Sequence, residues 1–269
     1  MTATSATRTR TVEADGVPVP VTFTERGAGR PFLLLHGGAG PQSVENFAAL
    51  LAEAGLGRVI VPVHPGFGGT PRPGQLAGMP ALAAVYGQLI DDLDLTGVTV
   101  IGNSIGGWIA AEIALLANPR VSRVVLVDAA GLQLAGHPAA DFFSLTMDQV
   151  ADLSYYRPDD YRIDLDRLPA PARAAMAGNR AALAVYGGPA MADDGLLARL
   201  PAIAVPVLVV WGAADRMIPP AHGEAYAAAI PGARLRLITE AGHLPQLETP
   251  AELLDIIKDF APAPAPAAS

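Results

Sequence analysis

Three side chains, Ser104, Asp215 and His243, carry the clearest chemistry in this chain. A serine hydroxyl becomes a nucleophile when a base takes its proton, and that base needs a carboxylate to orient it and stabilise its charge. The order Ser…Asp…His is the one used when the serine stands on a strand-to-helix turn of an α/β sheet. Ser104 lies in Gly102-Asn103-Ser104-Ile105-Gly106-Gly107, a Gly-x-Ser-x-Gly stretch. Val98 to Ile101 before it reads as a buried strand, and Trp108 to Ala117 after it as a helix with Glu112 interposed. So sharp a turn pushes the serine outward, and Gly102 and Gly106 leave room where a Cβ would strike neighbouring backbone.

Other uses of a glycine-rich turn fit less well. A dinucleotide fingerprint needs Gly at its third position, where Ser104 stands. A phosphate loop ends in Gly-Lys-Ser/Thr, but Lys258 is the only lysine. A further stretch, His36-Gly37-Gly38-Ala39-Gly40, follows a strand and leaves backbone N–H groups free to point into a site. The N–H groups of Gly38 and Ile105 are therefore candidates to hold an oxyanion. Two acids compete for the histidine. Asp128 and Asp215 each follow a strand, and chain order favours Asp215. Asp128 then becomes a hydrogen-bonding residue at the entrance.

Composition narrows the class. A length of 269 residues suits one large α/β domain with an insertion, and 51% hydrophobic residues suffice for its core. A net charge of −8 argues against nucleic acid or an anionic membrane as partner. The absence of cysteine excludes disulfides, thiolate metal sites and Cys nucleophiles. Met1 to Thr11 lacks the apolar core of a signal peptide, and no apolar run approaches a membrane span, so a cytoplasmic location is expected. Residues 261–269, a Pro/Ala tail, are expected to be disordered.

The elements that must position these residues alternate. Val12 to Glu25 reads as an edge hairpin around Gly16. Pro31 to Leu35, Arg58 to Val63, Val121 to Val127, Pro206 to Trp211 and Arg234 to Ile238 read as strands. Val44 to Ala54, Leu82 to Leu93, Ala221 to Ala229 and Ala251 to Phe260 read as helices. Such alternation implies an α/β fold, a mostly parallel, doubly wound sheet with sites at the carboxyl ends of its strands. His36, His64, Ser104, Asp128, Asp215 and His243 would then share one rim. The core is expected over 1–130 and 201–260. Residues 131–200 break the rhythm and read as a helical cap inserted between two core strands. Its aromatics Phe142, Phe143, Tyr155 and Tyr156 are candidates for an apolar substrate pocket. His36 reads as a structural hydrogen-bonder. His64 fits either substrate contact or loop support. His137 and His222 carry no supporting pattern and make no metal site.

His36-Gly37-Gly38, Pro65-Gly66-Phe67-Gly68, the Ser104 stretch, Trp211-Gly212-Ala213-Ala214-Asp215 and Gly242-His243-Leu244-Pro245 together resemble the α/β-hydrolase superfamily. Within it the chain is similar to the branch holding carboxylesterases and the C–C hydrolases of aromatic ring-cleavage products. The resemblance implies a Ser-His-Asp triad, an oxyanion hole and no cofactor. It also departs from the pattern, since the family usually has Asp where His64 stands. Ser104 argues against the epoxide- and halide-cleaving branches, whose nucleophile is Asp. Arg180 resembles the arginine that binds the substrate acid in the C–C hydrolases, with an exposed helix residue or a partner for a cap acid as the plainer reading. Asn103 matches that branch as well, but Leu244 stands where those enzymes typically carry Trp. The expectation is a serine hydrolase of a small-to-medium, largely apolar acyl ester. C–C cleavage and a catalytically weak ligand-binding protein are the alternatives. A small-molecule acyl substrate is the expected partner, and the oligomeric state is left open.

Overall fold

The computed structural model describes residues 6–261. In chain order its elements are β1 (Ala6–Ala14), β2 (Val17–Arg26), β3 (Pro31–Leu35), α1 (Gln42–Glu53), β4 (Arg58–Pro62), α2 (Met79–Asp92), β5 (Val98–Asn103), α3 (Ile105–Leu115) and β6 (Val121–Val127). There follow α4 (Met147–Ser154), α5 (Ala170–Gly187), α6 (Leu196–Arg199), β7 (Val207–Gly212), α7 (Ala221–Ala229), β8 (Arg234–Ile238), α8 (Pro245–Glu248) and α9 (Pro250–Phe260). The eight strands form one sheet in the order β1-β2-β4-β3-β5-β6-β7-β8. β1 and β2 pair antiparallel, as do β2 and β4, and the remaining neighbours are parallel.

The apolar runs explain this layering. Successive side chains of a strand point to opposite faces, so a strand covered on both sides must be apolar throughout. In β3, Leu33 and Leu35 enter one core with α2 and α3, while Phe32 and Leu34 enter the other with α1 and α9. Val124 and Leu126 of β6 face the first core, and Val125 and Val127 the second. Ala261 is fully buried in the second core, its N–H bonded to Ile257 O. Ala261, expected as the first residue of a disordered tail, is ordered instead. Residues 262–269 lie outside the described residues.

Two helices start three residues earlier than the hydropathy pattern indicates. α2 begins at Met79, with Pro80 in the first turn, where a missing N–H costs nothing. α3 begins at Ile105, because Gly106 and Gly107 hide a helix start behind their poor propensity. No helix among the described residues is long and apolar enough to cross a membrane.

Between β6 and β7, neighbours in the sheet, the chain makes α4, α5, α6 and intervening turns above the strand ends. Polar anchors tie this segment down. Asn179 of α5 accepts from Gly68 N (2.8 Å) and donates to Ala39 O (3.4 Å), and the Tyr186 hydroxyl donates to Pro65 O (2.9 Å). Arg199 reaches down to α3, where its guanidinium forks onto buried Glu112 at 2.6 and 2.7 Å. That bidentate pair explains why an acid interrupts an otherwise apolar helix.

Candidate active site

Ser104 sits at the junction of β5 and α3 with φ 57° and ψ −120°, a left-handed conformation that a non-glycine residue adopts only under constraint. Its backbone is pinned on both sides. Its N–H donates to Val127 O (3.0 Å), and its carbonyl accepts from Trp108 N and Ala130 N (3.1 and 3.0 Å). A Cβ on Gly102 would lie 2.0 Å from Gly106 O, and one on Gly106 would lie 2.4 Å from Leu35 O. The turn closes only because both positions are glycine.

Asp215 follows β7 and His243 follows β8. Both are buried, and Asp215 Oδ2 accepts from His243 Nδ1 at 2.8 Å. The proton on Nδ1 leaves the Nε2 lone pair of the neutral ring available as a base. Asp215 is held from behind, since its Oδ1 accepts from Met217 N (2.8 Å) and Ile218 N (2.9 Å). The histidine turn is clamped as well. His243 N donates to Ser154 O (2.6 Å), and His243 O accepts from Asn103 Nδ2 (2.9 Å). Gln246 in turn donates to Asn103 Oδ1 at 3.0 Å. The Asn103 amide is thus occupied in tying the elbow to the histidine turn.

Gly38 and Ile105 line the same cavity as Ser104 and His243. Ile105 is the first residue of α3, so its N–H has no acceptor within the helix. Behind Gly37 and Gly38 lie two fully buried histidines. His36 Nδ1 donates to Gly37 O (2.8 Å), and His36 Nε2 accepts from His64 N (3.1 Å). His64 Nε2 donates to His36 O (2.9 Å), while His64 Nδ1 accepts from the Tyr86 hydroxyl. Every ring nitrogen is satisfied, and each ring is held as one neutral tautomer. Burial pushes His64 down to about 4, and burial together with the neighbouring His64 holds His36 well below its ordinary value. His64 supports the loop, and it is not among the residues lining the cavity.

That cavity holds about 430 Å³. Ser104, His243 and Leu244 line it. Its walls are mainly apolar, with Phe142, Leu183 and four methionines, Met147, Met176, Met191 and Met217. Of the four aromatics expected there, Phe142 and Tyr155 line it. Phe143 does not; its ring and that of Phe142 pack edge to face. Tyr156 is also a correction: its side chain turns outward and is 44% exposed, while Tyr155 stacks on Tyr161. Arg180 lines the wall, but its guanidinium is engaged. Its Nη2 donates to Phe143 O (2.7 Å) and Phe142 O (3.3 Å), and its Cζ lies 4.8 and 5.4 Å from the two ring centroids. Its protein partners are backbone carbonyls and rings of the insertion rather than an acid, and the residue is half-buried.

Residues 32–256 match the family model described as Alpha/beta hydrolase family. The chain belongs to the α/β-hydrolase family. Among curated relatives it is 28% identical to a 2-hydroxy-6-oxo-2,4-heptadienoate hydrolase of Pseudomonas putida, over 97% of this chain and 98% of that one. It is 31% identical to a pimeloyl-[acyl-carrier protein] methyl ester esterase of Aromatoleum aromaticum, over 86% of this chain and 98% of that one. A thermophilic esterase from Thermogutta terrifontis has the same fold, with a TM-score of 0.75 at 24% identity, covering 95% of this chain and 97% of that chain.

In this α/β hydrolase, sequence reasoning missed several members of the site. His222, on α7, lines the cavity and donates from Nε2 to His137 O (2.7 Å). Glu248 accepts from Gly242 N (2.7 Å) and so braces the histidine turn, and Gln246 braces Asn103. None belongs to a local motif; each is placed by a fold-level contact. Asp128, Asp215 and His243 offer ligand atoms all within 4.8 Å of one another, the spacing a cation could use. Asp215, however, already accepts three N–H donors, and a cation shared by its Oδ2 and His243 Nδ1 would have to displace the Nδ1 proton.

Proposed function

We propose that this α/β hydrolase is a serine esterase that cleaves small-to-medium, largely apolar carboxylic esters through an acyl-enzyme. Ser104 Oγ attacks the acyl carbon, and His243 Nε2 takes its proton. The N–H groups of Gly38 and Ile105 hold the oxyanion, and Asp215 stabilises the imidazolium. His243 returns the proton to the departing alcohol. Water then attacks the acyl-enzyme with His243 again as base, the bond to Ser104 Oγ breaks as His243 returns the proton to that oxygen, and the carboxylic acid leaves. The observation that carries this reading is the mainly apolar cavity of about 430 Å³ that Ser104 and His243 line. Its size and lining suit an acyl chain, and the four methionines form a pliable wall that accommodates different chain shapes.

C–C cleavage of a ring-opened dienoate is the second reading, favoured by the Pseudomonas putida relative and by an arginine in the wall. That reaction needs a cation free to hold the substrate carboxylate. Arg180 commits one nitrogen, Nη2, to Phe142 O and Phe143 O, which holds the guanidinium against the insertion and leaves only Nε and Nη1 to meet a carboxylate, so the ester is placed first. A side-by-side assay on p-nitrophenyl butyrate and a ring-opened dienoate decides. The expected result is a higher specificity constant for the ester. A dienoate constant well above it, collapsing in Arg180→Ala, would reverse the order.

A further inference from the structure

We propose that Asp128 is a carboxylic acid kept protonated behind Asp215, and that the proton on its Oδ2, donated to the Asp215 carboxylate, positions that group against His243. The inference rests on the triad reading and adds a fourth member to it.

The supply of donors carries the argument. Asp215 takes three N–H groups, from Met217, Ile218 and His243. Asp128 is fully buried and takes one, from Gly212 N to Oδ1 at 2.8 Å, while its Oδ2 receives none. An ionised oxygen buried without a donor is costly, and two ionised carboxylates side by side are more so. A single proton on Asp128 Oδ2 removes both costs: it neutralises the oxygen that has no donor, and the Asp215 carboxylate, with an oxygen within 4.8 Å of an Asp128 oxygen, is there to accept it. Asp215, richer in donors, keeps the charge. The backbone is arranged for this: Asp128 stands at φ 45°, with its N–H tied to Val210 O at 3.0 Å. Burial, with the charge of Asp215 second, pushes the Asp128 carboxyl well above the usual range. The other titratable groups around the pair act without supplying Oδ2 a proton. Glu248 adds negative charge, and His222 directs its Nε2–H to His137 O.

Asp128 is therefore a positioning residue. It stands beside Asp215, with an oxygen within 4.8 Å of that carboxylate, and acts through it, and the pair presents one negative charge to His243.

The test compares Asp128→Asn with Asp128→Ala on p-nitrophenyl butyrate. Asparagine keeps the acceptor for Gly212, offers an N–H in place of the proton and is always neutral. The variant should keep more than a tenth of wild-type kcat, and the acid limb of its kcat/KM profile should stay where it is in wild type. Were Asp128 ionised instead, the substitution would delete a charge within 4.8 Å of the imidazole. At an effective dielectric of ~20, that moves the acid limb down by ~2 pH units, and such a shift would overturn the proposal. Alanine removes the donor and should lower kcat by ~10- to 100-fold with little change in KM. An alanine variant as active as wild type, or an asparagine variant as impaired as alanine, would also overturn it. Circular dichroism and Tm check that each variant folds; if alanine does not, the asparagine pH profile decides alone. Ser104→Ala, run beside them, tests the triad itself, since it must lose turnover whatever Asp128 holds.

Discussion

Lowering the pH from 7 to 5 should weaken this fold through the two histidines behind the His36-Gly37-Gly38 loop. His64 is completely buried and accepts a proton only near pH 4, against an ordinary value of 6.5. The unfolded chain therefore binds a proton in the interval that the folded chain refuses. The sign follows: the contribution is fully present above the unfolded value, falls as pH drops from ~7 toward 4, and is flat below that. From pH 7 to 5, His64 alone should cost about 2 kcal/mol, and His36, lowered in the same direction, adds to it. The assay is urea unfolding at both pH values, for wild type and His64→Asn. The substitution removes the His64 ring, so His36 O loses a donor and the Tyr86 hydroxyl an acceptor, and stability at pH 7 should drop by about 1–3 kcal/mol. The readout is therefore the pH-dependent loss, which should be about 2 kcal/mol smaller in the variant. Equal losses in the two proteins would refute the reasoning, because carboxylates common to both cannot distinguish them.

Further outcomes follow from the site. Ser104→Ala and His243→Ala should each lower kcat by ~10⁶-fold on a nitrophenyl ester, and the double variant little more, because the groups act as a unit. Asp215→Asn should cost ~10⁴-fold by favouring the wrong tautomer of His243, with an unchanged circular dichroism spectrum. Gly102→Ala should give little soluble protein, since its Cβ would lie 2.0 Å from Gly106 O; a folded variant of wild-type Tm would remove the steric account of the elbow. Phe142→Ala should alter the ranking of acyl esters by chain length while the shortest activated ester is still cleaved, whereas Tyr156→Ala, on the outer surface, should leave the ranking as it is.

The sheet was legible because its signals are local. Five of the strands are apolar runs closed by Gly, Pro or a polar residue, and the Ser104 elbow and the Gly242-His243 turn are short motifs whose glycines have a steric reason. Ser104 and His243 could be proposed from those motifs, and Asp215 from chain order. What stayed hidden depends on contacts between distant segments. Nothing near His64 announces Tyr86, and nothing near Asp128 announces that Gly212 and Asp215 will pack against it. The aromatics of the insertion show the same limit. Tyr155 and Tyr156 are adjacent, and only the turn that ends α4 decides that the first faces the cavity and the second faces outward. Arg180 could be placed on a helix, but its partners are carbonyls 37 and 38 residues away, which no periodicity displays.

The claim at the centre of this account is that Ser104 is a nucleophile activated within an acyl-transfer site. Incubation with a fluorophosphonate, followed by intact-mass measurement and peptide mapping, tests it most directly. The account predicts one adduct per chain, on the peptide carrying Ser104, with esterase activity lost in step with labelling. A chain that stays unmodified, or one labelled at another serine while Ser104 remains free, would contradict it.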